Sequence, residues 1–85
     1  MAYNIVYKGS VHRDLKKLSK AESTRVLGQI EAELSKKADT YPLLKGQFAG
    51  LRRYRVGDYR VIYAILEDNV LILRIGHRRD VYKKI

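Results

Sequence analysis

The chain has 85 residues and six glycines, one proline and 46% hydrophobic residues, which reads as a single folded domain over residues 1–85 with a thin core and little room for an enclosed cofactor pocket, so no cofactor is expected. Eighteen Lys and Arg against nine Asp and Glu give a net charge of +9, so nucleic acid is the first partner to consider and an acidic protein the second. The absence of cysteine excludes a disulfide framework, a thiol nucleophile and a cysteine zinc site, and it fits a reducing, cytoplasmic location.

Met1–Ser10 is broken by Asn4 and Lys8 and is not expected to act as a signal peptide, and no later run is long enough to span a bilayer. Within it, Tyr3, Ile5 and Tyr7 alternate with Asn4, Val6 and Lys8, the period of a first strand. Gly9-Ser10 ends that strand, with Ser10 as the expected N-cap of a helix carrying Val11, Leu15 and Leu18 on its inner face. Ser19 and Glu22 have capping-box spacing for a second helix with an apolar stripe of Val26, Leu27, Ile30 and Leu34. The short link predicts a helical hairpin. Asp39 to Gly50 reads as a loop broken by Pro42, Gly46 and Gly50.

Strands follow. Leu51–Val56 and Tyr59–Leu66 flank Gly57-Asp58, a two-residue hairpin signal. Val70–Gly76 is a further strand, expected to be entered through an Asp68-Asn69 turn. The tail His77–Ile85 is basic and has no clear period. The fold class is therefore α+β.

The first hairpin makes a geometric statement about charge. With Gly57-Asp58 as the turn, Arg55 faces Arg60, and Arg53 shares their face by alternation. Like charges opposite each other destabilise a sheet, whereas a phosphate would relieve the repulsion and suits the guanidinium fork. Arg52 alternates to the other face and reads as a surface charge. The second hairpin is expected to set Tyr63 against Arg74 and Arg60 against His77, with Gly76 a place for a bulge. His77, Arg78 or Arg79 then ends near Arg60, with Tyr82 shortly after. His77 is the one side chain there that titrates near neutrality.

This set suits metal-independent RNA cleavage, in which the 2′-OH attacks the adjacent phosphate. His12 reads as a surface residue, Tyr3, Tyr7 and Tyr63 as core, and Tyr54 and Tyr59 as core or rim. Two distant histidines and scattered carboxylates make no metal site. Gly46 and Gly50 lack the Lys-Ser/Thr ending of a phosphate loop.

Two stretches carry a family resemblance. Pro42-Leu43-Leu44-Lys45-Gly46 followed by Leu51 to Tyr63, and the ending Ile75-Gly76-His77-Arg78-Arg79-Asp80-Val81-Tyr82, resemble the RelE branch of the RelE/ParE toxin superfamily. The resemblance implies an N-terminal strand and a helical hairpin packed on a mostly antiparallel sheet of about four strands. It also implies a toxin that cuts mRNA in the ribosomal A site, leaving a 2′,3′-cyclic phosphate, and that is blocked by a cognate antitoxin. Arg60 matches an arginine that binds the scissile phosphate. Arg78 matches one that stabilises the transition state or protonates the leaving group, and Tyr82 a tyrosine that orients or stacks the substrate. Arg53 and Arg55 match two basic positions where studied members carry Lys. Arginine is always protonated, so His77 or a substrate-assisted route is left to take the proton. Three other readings stand beside this one: a ParE-like inhibitor of DNA gyrase, a non-catalytic RNA- or ribosome-binding module, and a module whose basic face meets an acidic protein.

Overall fold

The computed structural model describes residues 2–79 and 81. Strand β1 is Asn4–Tyr7, followed by helices α1 (Gly9–Lys16) and α2 (Lys20–Gln29). The chain continues from α2 through a π-helical segment Ile30–Leu34, a last helical turn Ser35–Lys37 and a 3-10 turn Ala38–Thr40. Strands β2 (Arg52–Val56), β3 (Tyr59–Leu66) and β4 (Asn69–His77) complete one sheet in the order β1-β4-β3-β2. Only β1 runs parallel to its neighbour. The α+β architecture and the helical hairpin are those expected from the residue pattern.

The sheet has two unlike faces. One carries Tyr54, Val56, Val61, Tyr63, Ile72 and Ile75, which pack with Val11, Val26, Ile30 and Leu34 of the helices into one core. Tyr63 is fully buried and its hydroxyl donates to the Ala38 carbonyl at 2.6 Å, tying the end of the helical segment to the middle of β3. The other face carries Arg53, Arg55 and Arg60 together with Ile62. Ile62 and Val81 are fully buried outside the helix-side core. Val81 lies over Gly76, 3.5 Å from where a Cβ would stand.

Helix starts differ from expectation in one place. α1 begins at Gly9 with Lys8 as N-cap and no side-chain cap, so Ser10 lies inside the helix. The reason is that the Lys8 amide donates to Ile72 of β4 at 2.9 Å, which turns the chain two residues early. The capping box of α2 forms as its spacing predicts: the Glu22 amide donates to Ser19 Oγ at 3.1 Å and the carboxylate reaches back to the Ser19 amide.

Glu22 also accepts a hydrogen bond from Tyr59, which together with the cap holds its carboxyl below the ordinary value. A depressed folded pKa contributes stability above the unfolded pKa and loses it as pH falls through the folded one. Glu22→Gln keeps the cap acceptor and removes the charge. Urea denaturation is therefore expected to show the variant less stable than wild type near neutrality, with the gap closing as pH falls below the ordinary glutamate range.

The second hairpin turns one residue earlier than expected. Leu66 pairs with Asn69 across Glu67-Asp68, and Glu67 holds a left-handed φ of 58°. An irregularity lies between Ile62 and Tyr63, so Ile62 faces Arg74 while Tyr63 faces Ile72, and Leu73 is the extra residue. Arg60 therefore faces Gly76, and Tyr59 rather than Arg60 faces His77. The expected pairings Tyr63–Arg74 and Arg60–His77 are corrected by this earlier turn and by a bulge at Leu73 instead of Gly76.

Left-handed backbone costs a residue with a Cβ about 1–2 kcal/mol, part of which glycine returns as chain entropy. Glu67→Gly is expected to gain about 0.5–1 kcal/mol, read as a melting temperature raised by a few degrees.

Candidate functional site

The arginine face is built by β2 and β3. Arg55 and Arg60 are direct cross-strand partners, and Arg53 lies two residues along on the same side. Their packing is organised by one carbonyl. Arg55 Nε and Arg60 Nη1 both donate to the Gly57 oxygen, at 3.4 and 3.1 Å, and Arg60 Nη1 also donates to the Tyr59 carbonyl at 3.2 Å. Both acceptors are backbone carbonyls, which orient the two guanidinium groups. Gly57 at φ 60° with Asp58 at negative φ gives the tight turn that aims this carbonyl. A Cβ at Gly57 would fall 2.6 Å from Arg25 of α2, so a fourth guanidinium approaches the same turn.

Arg53, Arg55 and Arg60 line a shallow cleft of about 230 Å³ with Tyr41, Pro42 and Tyr54. The Arg53 amide donates to the Pro42 carbonyl at 3.1 Å, which lays the segment before β2 along its edge. The Tyr41 and Tyr54 rings are 4.7 Å apart and tilted by 54°, and Tyr54 donates to Gln29 at 3.1 Å. Tyr54, left open between core and rim, is 8% exposed and belongs to the core. Tyr41 and Pro42 carry no periodic signal in the sequence. Only the closure of the loop onto β2 brings them to the cleft.

Arg52 departs from its expected role as a surface charge. It points to the helix side, half-buried, and Nη1 donates to the Tyr41 carbonyl at 2.7 Å. The same bond anchors the cleft wall.

The tail enters at the other end of the β2–β3 hairpin. The Arg78 amide donates to the Asp58 carbonyl at 2.9 Å, which fixes the chain leaving β4 against the turn that carries Gly57. Arg78 and Arg79 are exposed. His77 is half-buried, its ring edge-on to Tyr59 at 6.1 Å, and its Nδ1 accepts from the Arg79 amide at 3.4 Å. With Nδ1 accepting, the neutral imidazole carries its proton on Nε2. Tyr59 holds its phenol proton above the ordinary range, mainly through the bond to Glu22. Tyr82 lies outside the described residues. His12 is exposed on α1, as expected. Among the described residues, no three His, Asp or Glu side chains come together to hold a metal ion, and no helix is long and apolar enough to cross a membrane.

The arrangement gives permanent positive charge on a rigid sheet face, beside a tail that brings further cations and an imidazole. It is suited to holding phosphoryl oxygens.

Comparison with known proteins gives the family. Residues 5–82 match the family model described as the ParE toxin of the type II toxin–antitoxin system parDE. No curated protein sequence matches the chain. Among solved structures, it is 30% identical to a chain of the toxin–antitoxin complex RelBE2 from Mycobacterium tuberculosis, with a TM-score of 0.87 over 94% of this chain and 95% of that one. It is 29% identical to a chain of the archaeal RelE–RelB complex from Pyrococcus horikoshii OT3, with a TM-score of 0.71 over 92% and 97% of the two chains. A chain of the chromosomal ParDE system from P. aeruginosa, 12% identical, has a TM-score of 0.76 over 89% and 96% and shows the shared fold alone. The protein belongs to the RelE/ParE superfamily and is a toxin of the type II toxin–antitoxin class.

Proposed function

We propose that the protein is a ribosome-dependent endoribonuclease that cuts mRNA in the A site and acts in the cytoplasm. The observation that carries this reading is the convergence of Arg53, Arg55 and Arg60 on one sheet face, with Arg78 tied to the adjoining turn. In this reading Arg60 grips the scissile phosphate and Arg53, Arg55 and Arg79 hold neighbouring phosphates. Arg78 meets the charge that develops as the 2′-oxygen–phosphorus bond forms and the bond to the 5′-oxygen breaks, and Tyr82 orients the nucleotide. The 5′-oxygen leaves as a hydroxyl and the 2′,3′-cyclic phosphate remains. The RelB-bound relatives support a cognate antitoxin as a partner, and in this reading it blocks the arginine face.

The proton of the 2′-OH passes to a phosphate oxygen or to water, and electrostatic stabilisation carries most of the rate. His77 in its Arg79-bound tautomer offers an N–H, not a lone pair, at Nε2. His77→Gln is accordingly expected to slow single-turnover cleavage by less than about tenfold, below the roughly 10²–10⁴-fold typical of a general acid or base. A loss as large as that of an arginine variant would make His77 the base instead.

A second reading is inhibition of DNA gyrase, favoured by the ParE family match and by Arg in place of Lys at positions 53 and 55. Primer extension on mRNA in a purified translation system separates the two. Discrete cuts at A-site codons are expected with wild type. They should be absent on naked RNA and with Arg78→Ala plus Tyr82→Phe. No cuts from soluble, antitoxin-free wild type, together with inhibition of gyrase supercoiling, would establish the second reading.

A further inference from the structure

A second basic surface lies at the other side of β4. β1 stops at Tyr7, opposite Ile72, so β4 beyond that point has no strand on its outer side. Helix α1 lies along this free edge. Asp14, 4% exposed, fills the gap: Oδ2 accepts from the Ile75 amide at 3.0 Å and Oδ1 meets Arg74 at 3.1 Å. Two adjoining clefts of about 230 and 310 Å³ follow the edge and share Asp14, Lys17 and Arg74. One end holds Lys8 and Arg13, and the other reaches Gly76 and His77.

The charges in this groove do not cancel. Both carboxylate oxygens of Asp14 are used internally, and Lys8, Arg13 and Lys17 make no ion pair among the described residues. Arg13 and Lys17 are four residues apart on the same side of α1, a like-charged spacing that weakens a helix. From Ile72 to His77 the groove spans about 16 Å at the rise of a strand. It ends where Gly76 faces Arg60 across the sheet.

We propose that this groove binds the sugar–phosphate backbone of a single RNA strand, extending the hold of the arginine face beyond the cut site by a few nucleotides. The proposal rests on the nuclease reading for the identity of the strand and on the groove itself for the binding. Single-stranded RNA fits better than an acidic protein. The outer half is lined by the exposed cations Lys8, Arg13 and Lys17 and by no apolar side chain, whereas the centre of a protein interface requires an apolar anchor. A partly screened row of three charges matches a repeating phosphate chain.

The test uses the full chain and a 2′-O-methyl RNA oligonucleotide, which has no attacking hydroxyl, so that binding is read without cleavage. Fluorescence anisotropy is followed against salt for wild type and for Lys8→Ala/Arg13→Ala/Lys17→Ala. All three side chains are exposed, and melting by circular dichroism confirms that the variant folds. Each phosphate contact to a single strand contributes about 0.7 to the log–log salt slope. The triple variant is expected to lose about 2 from that slope and more than tenfold in affinity at low salt. On programmed ribosomes it should raise KM and leave the rate at saturation unchanged.

An unchanged slope and affinity would overturn the groove. So would polyglutamate of matched charge competing as well as RNA does, since that marks a site for acidic protein. If wild type cuts no mRNA while the triple variant still loses RNA binding, the nuclease reading falls and the groove stands. If wild type cuts and binding is unaffected, the groove alone falls.

Discussion

Arg60→Ala is expected to lower single-turnover cleavage on the ribosome by about 10²–10³-fold, the loss typical of removing one preorganised donor from a developing oxyanion. The residue sits at the centre of the site by three independent measures. It faces Arg55 across the hairpin, it faces Gly76 beside the tail, and its Nη1 is held by two carbonyls. Those carbonyls fix the direction of the guanidinium. Arg60→Lys keeps the charge but has a single ammonium where the guanidinium presents a planar fork, and it should recover only part of the rate. Stability should change little, because relief of a like-charge pair worth roughly 0.2–1 kcal/mol offsets the loss of the hydrogen bonds that Arg60 makes. The melting temperature of Arg60→Ala should therefore stay within a few degrees of wild type. Cleavage at the wild-type rate would remove Arg60 from the chemistry. A large fall in melting temperature would make its role structural.

The same pair shows why part of the site could be read in advance. A two-residue turn fixes register completely, so Gly57-Asp58 was enough to set Arg55 against Arg60 and to put Arg53 on their face. Capping chemistry is equally local, and Ser19 with Glu22 gave the start of α2 correctly. The failures are all cases in which a distant element decides. Glu67 in a left-handed conformation displaced the second turn by one residue, and the bulge at Leu73 then changed which residues meet beyond it. Nothing in the local sequence forbids either arrangement. Ser10 lost the cap position because β4 captured the Lys8 amide. Arg52 followed alternation to the opposite face as expected, but its bond to the Tyr41 carbonyl depends on how a loop of a dozen residues closes. Asp14 reads in sequence as one more polar residue on the outer side of α1, and nothing there signals that β1 will end early and leave it the edge of β4.

Asp14→Ala is consequently the substitution expected to cost most in stability. Two groups depend on this carboxylate. The Ile75 amide has no strand neighbour beyond it, and Arg74 has a side chain only 15% exposed. Removing one partner of a buried ion pair costs about 3–5 kcal/mol. That is a large share of the roughly 5–15 kcal/mol available to a domain. At about 4–8 °C per kcal/mol for a chain of this size, the melting temperature should fall by at least about 12 °C. Asp14→Asn retains an oxygen for the Ile75 amide and loses only the charge, so it should lie between Asp14→Ala and wild type. Replacing both partners separates the two contributions. In Asp14→Ala/Arg74→Met the half-buried guanidinium leaves together with its carboxylate, so the double variant should melt above Asp14→Ala alone. If instead Asp14→Ala melts within a few degrees of wild type, water must be replacing the carboxylate at the edge of β4. The alignment of α1 with that edge, and the groove between them, would then rest on packing of Val11 and Leu15 and not on the ion pair.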